Sequence, residues 1–190
     1  MKKTNSKKTA KSANIYTKEV IKHFQNPHNY GRLKDPDGIG KVGNLACGDV
    51  LWLYIKVGEN KKGKEIIKDI SFETFGCVAA LATSSAVTDL AKRKTLPEAL
   101  AISKNKVIES LRGLPPVKVH CSLLATEALA EAVYDYLSKN KKKIPSSLEA
   151  RHLRNAKQEA VIEEKYHQWV EIEEKMHGSQ ALRFKPKTKT

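Results

Sequence analysis

Two hydrophobic periods divide this chain. Residues 17–24 read as a short helix, because Thr17 can cap it and Val20, Ile21 and Phe24 fall on one stripe. Asn26-Pro27 stops that helix, and Gly31, Pro36 and Gly38 mark the stretch to Gly40 as loop. Leu51, Leu53, Ile55 and Val57 then alternate with Trp52, Tyr54 and Lys56, the period of a strand. Residues 58–63 form a polar turn and residues 66–75 a second strand. A connection that short makes the pair antiparallel, and residues 40–45 are the candidate third strand.

From Cys77 the pattern turns helical. VAALATSSAVTDLAKR is rich in alanine and small hydroxyls, which suits a helix lying close against a sheet. Thr95 with Glu98 three residues later, and Pro97 between them, starts a short helix. Residues 104–111 are another, broken by Gly113 and Pro115-Pro116. Residues 122–137 are the strongest, with Leu124, Ala128, Ala132 and Tyr136 on an i, i+4 row. Strands first and helices after predict an α+β fold, a small antiparallel three-stranded sheet with helices packed on one face. A C-terminal helical extension follows. Residues 147–175 are helical in pattern but highly charged, with sparse apolar points at Leu148, Leu153, Ala156, Ala160, Val161, Trp169 and Ile172. A helix with so thin a stripe docks on something or stays marginal.

Composition narrows the class. With 190 residues, 40% apolar and 6% aromatic, the chain can build one modest core. No run approaches the roughly 18 to 20 apolar residues that span a bilayer, and MKKTNSKKTAKSAN lacks the apolar region of a secretory signal. Membrane, collagen-like and disulfide-rich classes are excluded, and a cytoplasmic location is expected. The formal net charge of +14 is uneven: residues 1–14 carry +5, residues 15–138 carry +3 and residues 139–190 carry +6. This suggests a basic disordered tail over 1–14, a folded domain over 15–138 and a basic, charged helical extension over 139–190. Lysine-rich ends read as solvated tails rather than as a nucleic-acid face.

The three cysteines, Cys47, Cys77 and Cys121, form no C-x-x-C pair, and an odd number argues against a disulfide framework. Dispersed cysteines can be small buried hydrophobes, but their contexts point elsewhere. Cys47 lies in GNLACGD, where Gly48 frees the backbone to turn and Asp49 can converge with the thiol. Cys77 lies at a strand-to-helix junction, where free N–H groups and positive potential favour a thiolate. Cys121 follows His120, and both can reach one ion if the backbone there is not yet helical. Three thiolates, one imidazole and one carboxylate meet the four-ligand need of zinc. Three cysteines with a harder partner would also hold an iron–sulfur cluster less permanently than four do.

The segments YTKEVIKHFQNPHNYG, GNLACGD, FGCVAALATSS and LPPVKVHCS, in that order over residues 16–137, resemble the iron–sulfur cluster assembly scaffolds of the IscU type, also the N-terminal domain of NifU. The resemblance implies a carrier rather than a turnover enzyme. Such a scaffold takes iron, and persulfide sulfur from a cysteine desulfurase. It builds a [2Fe–2S] cluster and passes it to apo-ferredoxin and other acceptors, with an Hsp70-type chaperone and its co-chaperone. Carried over, Cys47, Cys77 and Cys121 are cluster or metal ligands, and Cys121 is the persulfide acceptor. Asp49 is a ligand or tunes cluster lability, and His120 is an alternative ligand. Leu114, Pro115, Pro116, Val117 and Lys118 match the chaperone-recognition peptide. Zinc can occupy the same pocket, and a homodimer is compatible with the family.

Two positions depart from the family pattern: Leu45 stands where proline is frequent, and Val78 where glycine is frequent. His120 and LPPVK favour the IscU/NifU type over the SufU type, a zinc-dependent sulfur-relay transferase, which is the main alternative. A module that uses a structural zinc and its basic tails to bind a partner is the other.

Overall fold

The computed structural model describes residues 15–44, 47–157 and 160. The first helix, α1 (Lys18–Gln25), starts where the Thr17 hydroxyl accepts the Val20 N–H at 3.1 Å. The same hydroxyl donates to the Leu111 carbonyl at 2.6 Å, so one side chain caps a helix and ties it to a distant segment. Val20 is fully buried, whereas Phe24, expected on the same stripe, is exposed.

The sheet has three strands in the order β1 (Gly38–Gly43), β2 (Val50–Glu59) and β3 (Glu65–Phe75), antiparallel throughout. Leu51, Leu53 and Ile55 point into the core as the alternation requires. A register shift between Lys56 and Val57 ends that regularity, and Val57 is only half-buried. The strand expected over residues 40–45 is β1, which begins two residues earlier at Gly38 and ends at Gly43.

The helices α2 (Val78–Ala91), α3 (Leu96–Leu100), α4 (Lys104–Ser110) and α5 (Val119–Lys139) follow. The Thr95–Glu98 capping box forms as expected. α5 lies across β1 and β2, and α2 lies against β3 and α5, which gives the expected α+β arrangement. The glycines of β1 explain how closely α5 approaches. A Cβ on Gly40 would sit 2.0 Å from the Ala128 carbonyl oxygen, and one on Gly38 would sit 2.2 Å from that of Ala132. Backbone replaces side chain along this seam, and Ala125, Ala128, Ala132 and Val133 are fully buried.

Helix α5 starts three residues earlier than the sequence pattern suggests. Pro116–Lys118 form a 3-10 turn that runs directly into Val119. Proline at the first position of a helical turn is pre-organised for it, so the Pro-Pro pair initiates rather than interrupts. His120 and Cys121 therefore lie in the first turn of a helix, not on the non-helical turn that the sequence reading required for them to share an ion.

Residues 146–157 are helical and dock on α5. Leu148 is buried in the core. Around it the contact is polar: Arg151 reaches both Glu127 carboxylate oxygens at 3.2 Å and the Thr126 carbonyl at 3.1 Å. The His152 ring stacks on Tyr134 at 3.8 Å and bonds Glu131 at 2.7 Å. Of the expected apolar points among the described residues only Leu148 is buried, while Leu153, Ala156 and Ala160 are exposed, so charge-assisted hydrogen bonds hold most of this contact. The 1–14 segment, Leu45 and most of the expected helical unit beyond residue 157 lie outside the described residues. No helix among the described residues is long and apolar enough to cross a membrane.

Candidate metal centre

Three chain segments meet at one end of the molecule: the β1–β2 connection, the start of α2 and the start of α5. The connection closes through Asn44, whose carbonyl accepts the Gly48 N–H at 2.8 Å and whose N–H donates to the Asp49 carbonyl at 2.9 Å. Gly48 has φ +70°, the left-handed conformation that glycine adopts without strain, and it reverses the chain between Cys47 and Asp49. Cys47 remains exposed, while Asp49 is only 5% exposed. Gly76 leaves the room that the carboxylate occupies, since a Cβ there would lie 3.0 Å from Asp49 Cγ.

Cys77 is the N-cap of α2, in extended conformation, and its side chain makes no capping bond. The thiol is thus available for other partners. Cys121, in the first turn of α5, is buried. Thr83 pins that turn to α2 by donating to the Cys121 carbonyl at 3.1 Å. The Cys77 and Cys121 sulfurs are 3.8 Å apart, and the Cys121 thiol faces Asp49 Oδ2, also at 3.8 Å. Two sulfurs bound at about 2.3 Å to one tetrahedral ion would themselves lie about 3.8 Å apart. The pair is therefore already at the spacing of ligands to a common metal.

Two donor sets result. In one, atoms of Asp49, Cys77 and Cys121 all lie within 4.8 Å of one another; in the other, atoms of Cys47, Asp49 and His120 do. Asp49 belongs to both. His120 Nε2 is buried without a hydrogen-bond partner, which is costly for an imidazole nitrogen unless something else engages it. All five residues singled out in the sequence are brought together, and the helical start of α5 divides His120 and Cys121 between the two sets.

The electrostatics explain what the pocket needs. Burial, followed by the neighbouring Cys77 and Asp49, pushes the Cys121 thiol well above its ordinary range. Burial also raises Cys47; the Asp49 N–H opposes this, while the Asp49 carboxylate and Cys77 add to it. Without a cation these two thiols are held in the neutral form, and a cation would stabilise the thiolates against that burial.

Lys118, expected only as part of the 114–118 recognition segment, also reaches this pocket. The Lys118 pKa is raised chiefly by Coulombic attraction to Cys77, with a hydrogen bond to the same sulfur adding to it. A lysine three residues before a buried cysteine at a helix start was the available signal. In the same 114–118 segment Val117 is 75% exposed. Phe75, two residues before Cys77, is 79% exposed, and Leu123, two residues after Cys121, is exposed as well.

An α+β body with a thiol-rich pocket between two helix starts and a strand connection defines a class of small metal-holding proteins. Comparison makes it specific. Residues 15–143 match the family described as NifU-like N terminal domain. The chain is 52% identical over 128 residues to the iron–sulfur cluster assembly scaffold protein IscU 1 of Archaeoglobus fulgidus, covering 67% of this chain and 80% of that protein. It is 50% identical over 129 residues to IscU of Buchnera aphidicola subsp. Baizongia pistaciae, covering 66% of this chain and 98% of that one. The crystal structure of an N-terminal NifU-like protein from Brucella abortus shares the fold with a TM-score of 0.53 at 20% identity, covering 66% of this chain and 96% of that one. The chain belongs to the IscU/NifU N-terminal family, a family of scaffold proteins rather than catalytic enzymes.

Proposed function

We propose that this protein assembles a [2Fe–2S] cluster in the pocket of Cys47, Asp49, Cys77, His120 and Cys121 and then hands it to apo-proteins. The observation that carries this reading is the pair of overlapping donor sets joined at Asp49. A two-iron cluster needs two protein ligands on each iron. Cys77 and Cys121, at 3.8 Å, suit one iron. Cys47, with His120 or Asp49, suits the other. The mixed set, in which oxygen or nitrogen stands where a fourth thiolate would be, favours a cargo that leaves over one that stays.

Sulfur would arrive as persulfide from a cysteine desulfurase. The Cys121 thiolate attacks the outer sulfur, and the desulfurase cysteine leaves as a thiolate. Two electrons per sulfur from an external reductant (a reduced ferredoxin or excess thiol) then release it as sulfide to the iron. Cys47, exposed on its loop, is open to an incoming group, and Lys118 can offset charge building at Cys77. The exposed Phe75, Val117 and Leu123 around the pocket suit protein partners: the desulfurase, then apo-ferredoxin or another acceptor. Residues 114–118 would serve an Hsp70-type chaperone and its co-chaperone. We read residues 15–138 as the scaffold domain, flanked by basic segments over 1–14 and 139–190, and place the protein in the cytoplasm, with a homodimer compatible with this role.

Anaerobic incubation with ferrous iron, cysteine and a cysteine desulfurase tests the reading. Two irons and two acid-labile sulfides per cluster should appear, and both should move to added apo-ferredoxin. Retained zinc with persulfide on a cysteine and no labile sulfide would overturn it in favour of sulfur relay.

A further inference from the structure

A second set of metal-ligating side chains lies near the far end of α2. Asp89 is twelve residues beyond Cys77, about 18 Å along the helix at 1.5 Å per residue. Opposite it stand His23, in the last turn of α1, and His28, on the loop that follows. One ring nitrogen from each histidine and one Asp89 oxygen all lie within 4.8 Å of one another.

The surroundings hold these groups in place. His23 Nδ1 bonds Ser85 Oγ at 2.8 Å, and the same oxygen accepts the His28 backbone N–H at 2.8 Å. His28 Nδ1 bonds Asp89 Oδ2 at 2.7 Å, and the two rings stand 5.0 Å apart. Asn29 Nδ2 donates to Asp89 Oδ1 at 3.2 Å and to Thr88 Oγ1 at 3.0 Å. Each imidazole is thus fixed in position, and a bound ion would replace the His28–Asp89 hydrogen bond that now joins two of its ligands.

We propose that His23, His28 and Asp89 form a second site, for a divalent transition-metal ion, that uses no thiolate. Two imidazoles and one carboxylate suit Fe²⁺, Co²⁺ or Zn²⁺, whereas Mg²⁺ and Ca²⁺ prefer all-oxygen sites. Both α1 and α2 turn their C-terminal ends toward the cluster, where the helix dipoles favour positive charge. Two cations stand near. Lys92 is paired with Asp69 at 2.8 Å, and Lys22 adjoins His23 in sequence and opposes the ion. The competing account is that these bonds only fasten the 26–30 loop to α2. The proposal does not depend on the cluster reading, since it concerns residues outside the thiol pocket.

The test is a Co²⁺ titration of the full chain under anaerobic conditions. Wild-type protein should bind two ions per chain, only one of them with a thiolate-to-cobalt charge-transfer band. The Cys47→Ser/Cys77→Ser/Cys121→Ser variant should keep one ion, without that band. His28→Ala or Asp89→Asn, made in that variant, should weaken the remaining ion tenfold or more, with an unchanged far-ultraviolet circular dichroism spectrum. Should the triple variant not fold, His28→Ala in wild type serves instead: it should lose the ion that lacks the band and keep the other. Binding of a single ion by wild type, or affinity for the band-free ion unchanged by His28→Ala, would overturn the proposal. Failure of cluster assembly would leave it standing.

Discussion

The two ends of α5 make opposite use of one helix. Its middle and C-terminal part lies so close to β1 that Gly38 and Gly40 have no room for a Cβ. Its first turn holds Cys121 3.8 Å from two other groups and leaves His120 Nε2 buried without a partner. The seam is satisfied and over-determined, while the pocket carries crowded thiols and an unmet nitrogen. Stability and function are thereby segregated. The rigid seam fixes where the first turn of α5 lies, and the pocket can remain under-satisfied because the seam does not depend on it.

This contrast makes the cysteines and the glycines break the protein in different ways. Cys77→Ala and Cys121→Ala should each abolish acid-labile sulfide incorporation, a loss of at least tenfold, while costing about 1 kcal/mol or less of folding stability. Urea denaturation alongside reconstitution checks both halves. A variant that loses assembly by unfolding would erase the proposed segregation.

Gly40→Ala should do the reverse. An added methyl 2.0 Å from the Ala128 carbonyl and 2.6 Å from the Ala132 nitrogen meets backbone that cannot move without displacing α5. The cost should be near or above the usual overpacking limit of about 3 kcal/mol, read as a lower denaturation midpoint. If it exceeds the stability margin, insoluble expression is the expected result. A well-folded Gly40→Ala protein with an unchanged midpoint would show that the seam yields.

How much of this could be read from sequence depended on where each signal resides. Period-two alternation at Leu51, Leu53 and Ile55 and the Thr95–Glu98 box are local, and they reported the elements directly. The first strand begins two residues before its pattern predicts because Gly38 carries no apolar signal; like Gly40, it is glycine for the sake of a helix some 90 residues away. The early start of α5 was hidden by Pro115-Pro116, which can break a helix or begin one, and only the 3-10 turn distinguishes the cases. The thiol pocket was legible because cysteine is rare and each copy had a telling neighbour. The His23–His28–Asp89 cluster was not, because Asp89 lies 61 residues from His28 and each residue alone has an ordinary surface context.

The docked helix over residues 146–157 lies between these extremes, since its contact is mainly polar. Arg151 and its partners are largely shielded, with side-chain exposures of 21% for Arg151 and 17% for Glu127. Arg151→Ala removes three hydrogen bonds but leaves Glu127 its bond from Asn155 at 3.1 Å. The expected loss is about 1 kcal/mol, and it should be confined to this helix. Hydrogen exchange should quicken over residues 146–157 while the α5 seam stays protected. Equal loosening of both would mean that the docked helix is part of the seam rather than an addition to it.

The smallest effect should come from the tie at the far end of α5, where Glu65 on β3 accepts hydrogen bonds from the Tyr136 hydroxyl and from Lys142 Nζ at 2.7 Å. Burial alone would raise the Glu65 pKa, but the bonds from Lys142 and Tyr136 together outweigh it and hold the carboxyl below its ordinary 4.5. A folded-state pKa below the unfolded one means that the ionised form stabilises the fold. That contribution is complete above the ordinary value and is lost as pH falls through the folded one. Because Lys142 is substantially exposed, solvent screening keeps this tie weak. Glu65→Gln keeps the shape but removes the charge. Wild type should therefore be slightly more stable than this variant at pH 7, and the gap should close as pH falls below the ordinary 4.5 and through the lowered Glu65 pKa. Taking the difference between the two proteins cancels the other carboxylates, which titrate alike in both. A gap that persists unchanged to pH 3 would show that the oxygen's shape, not its charge, holds this end of α5 to the sheet.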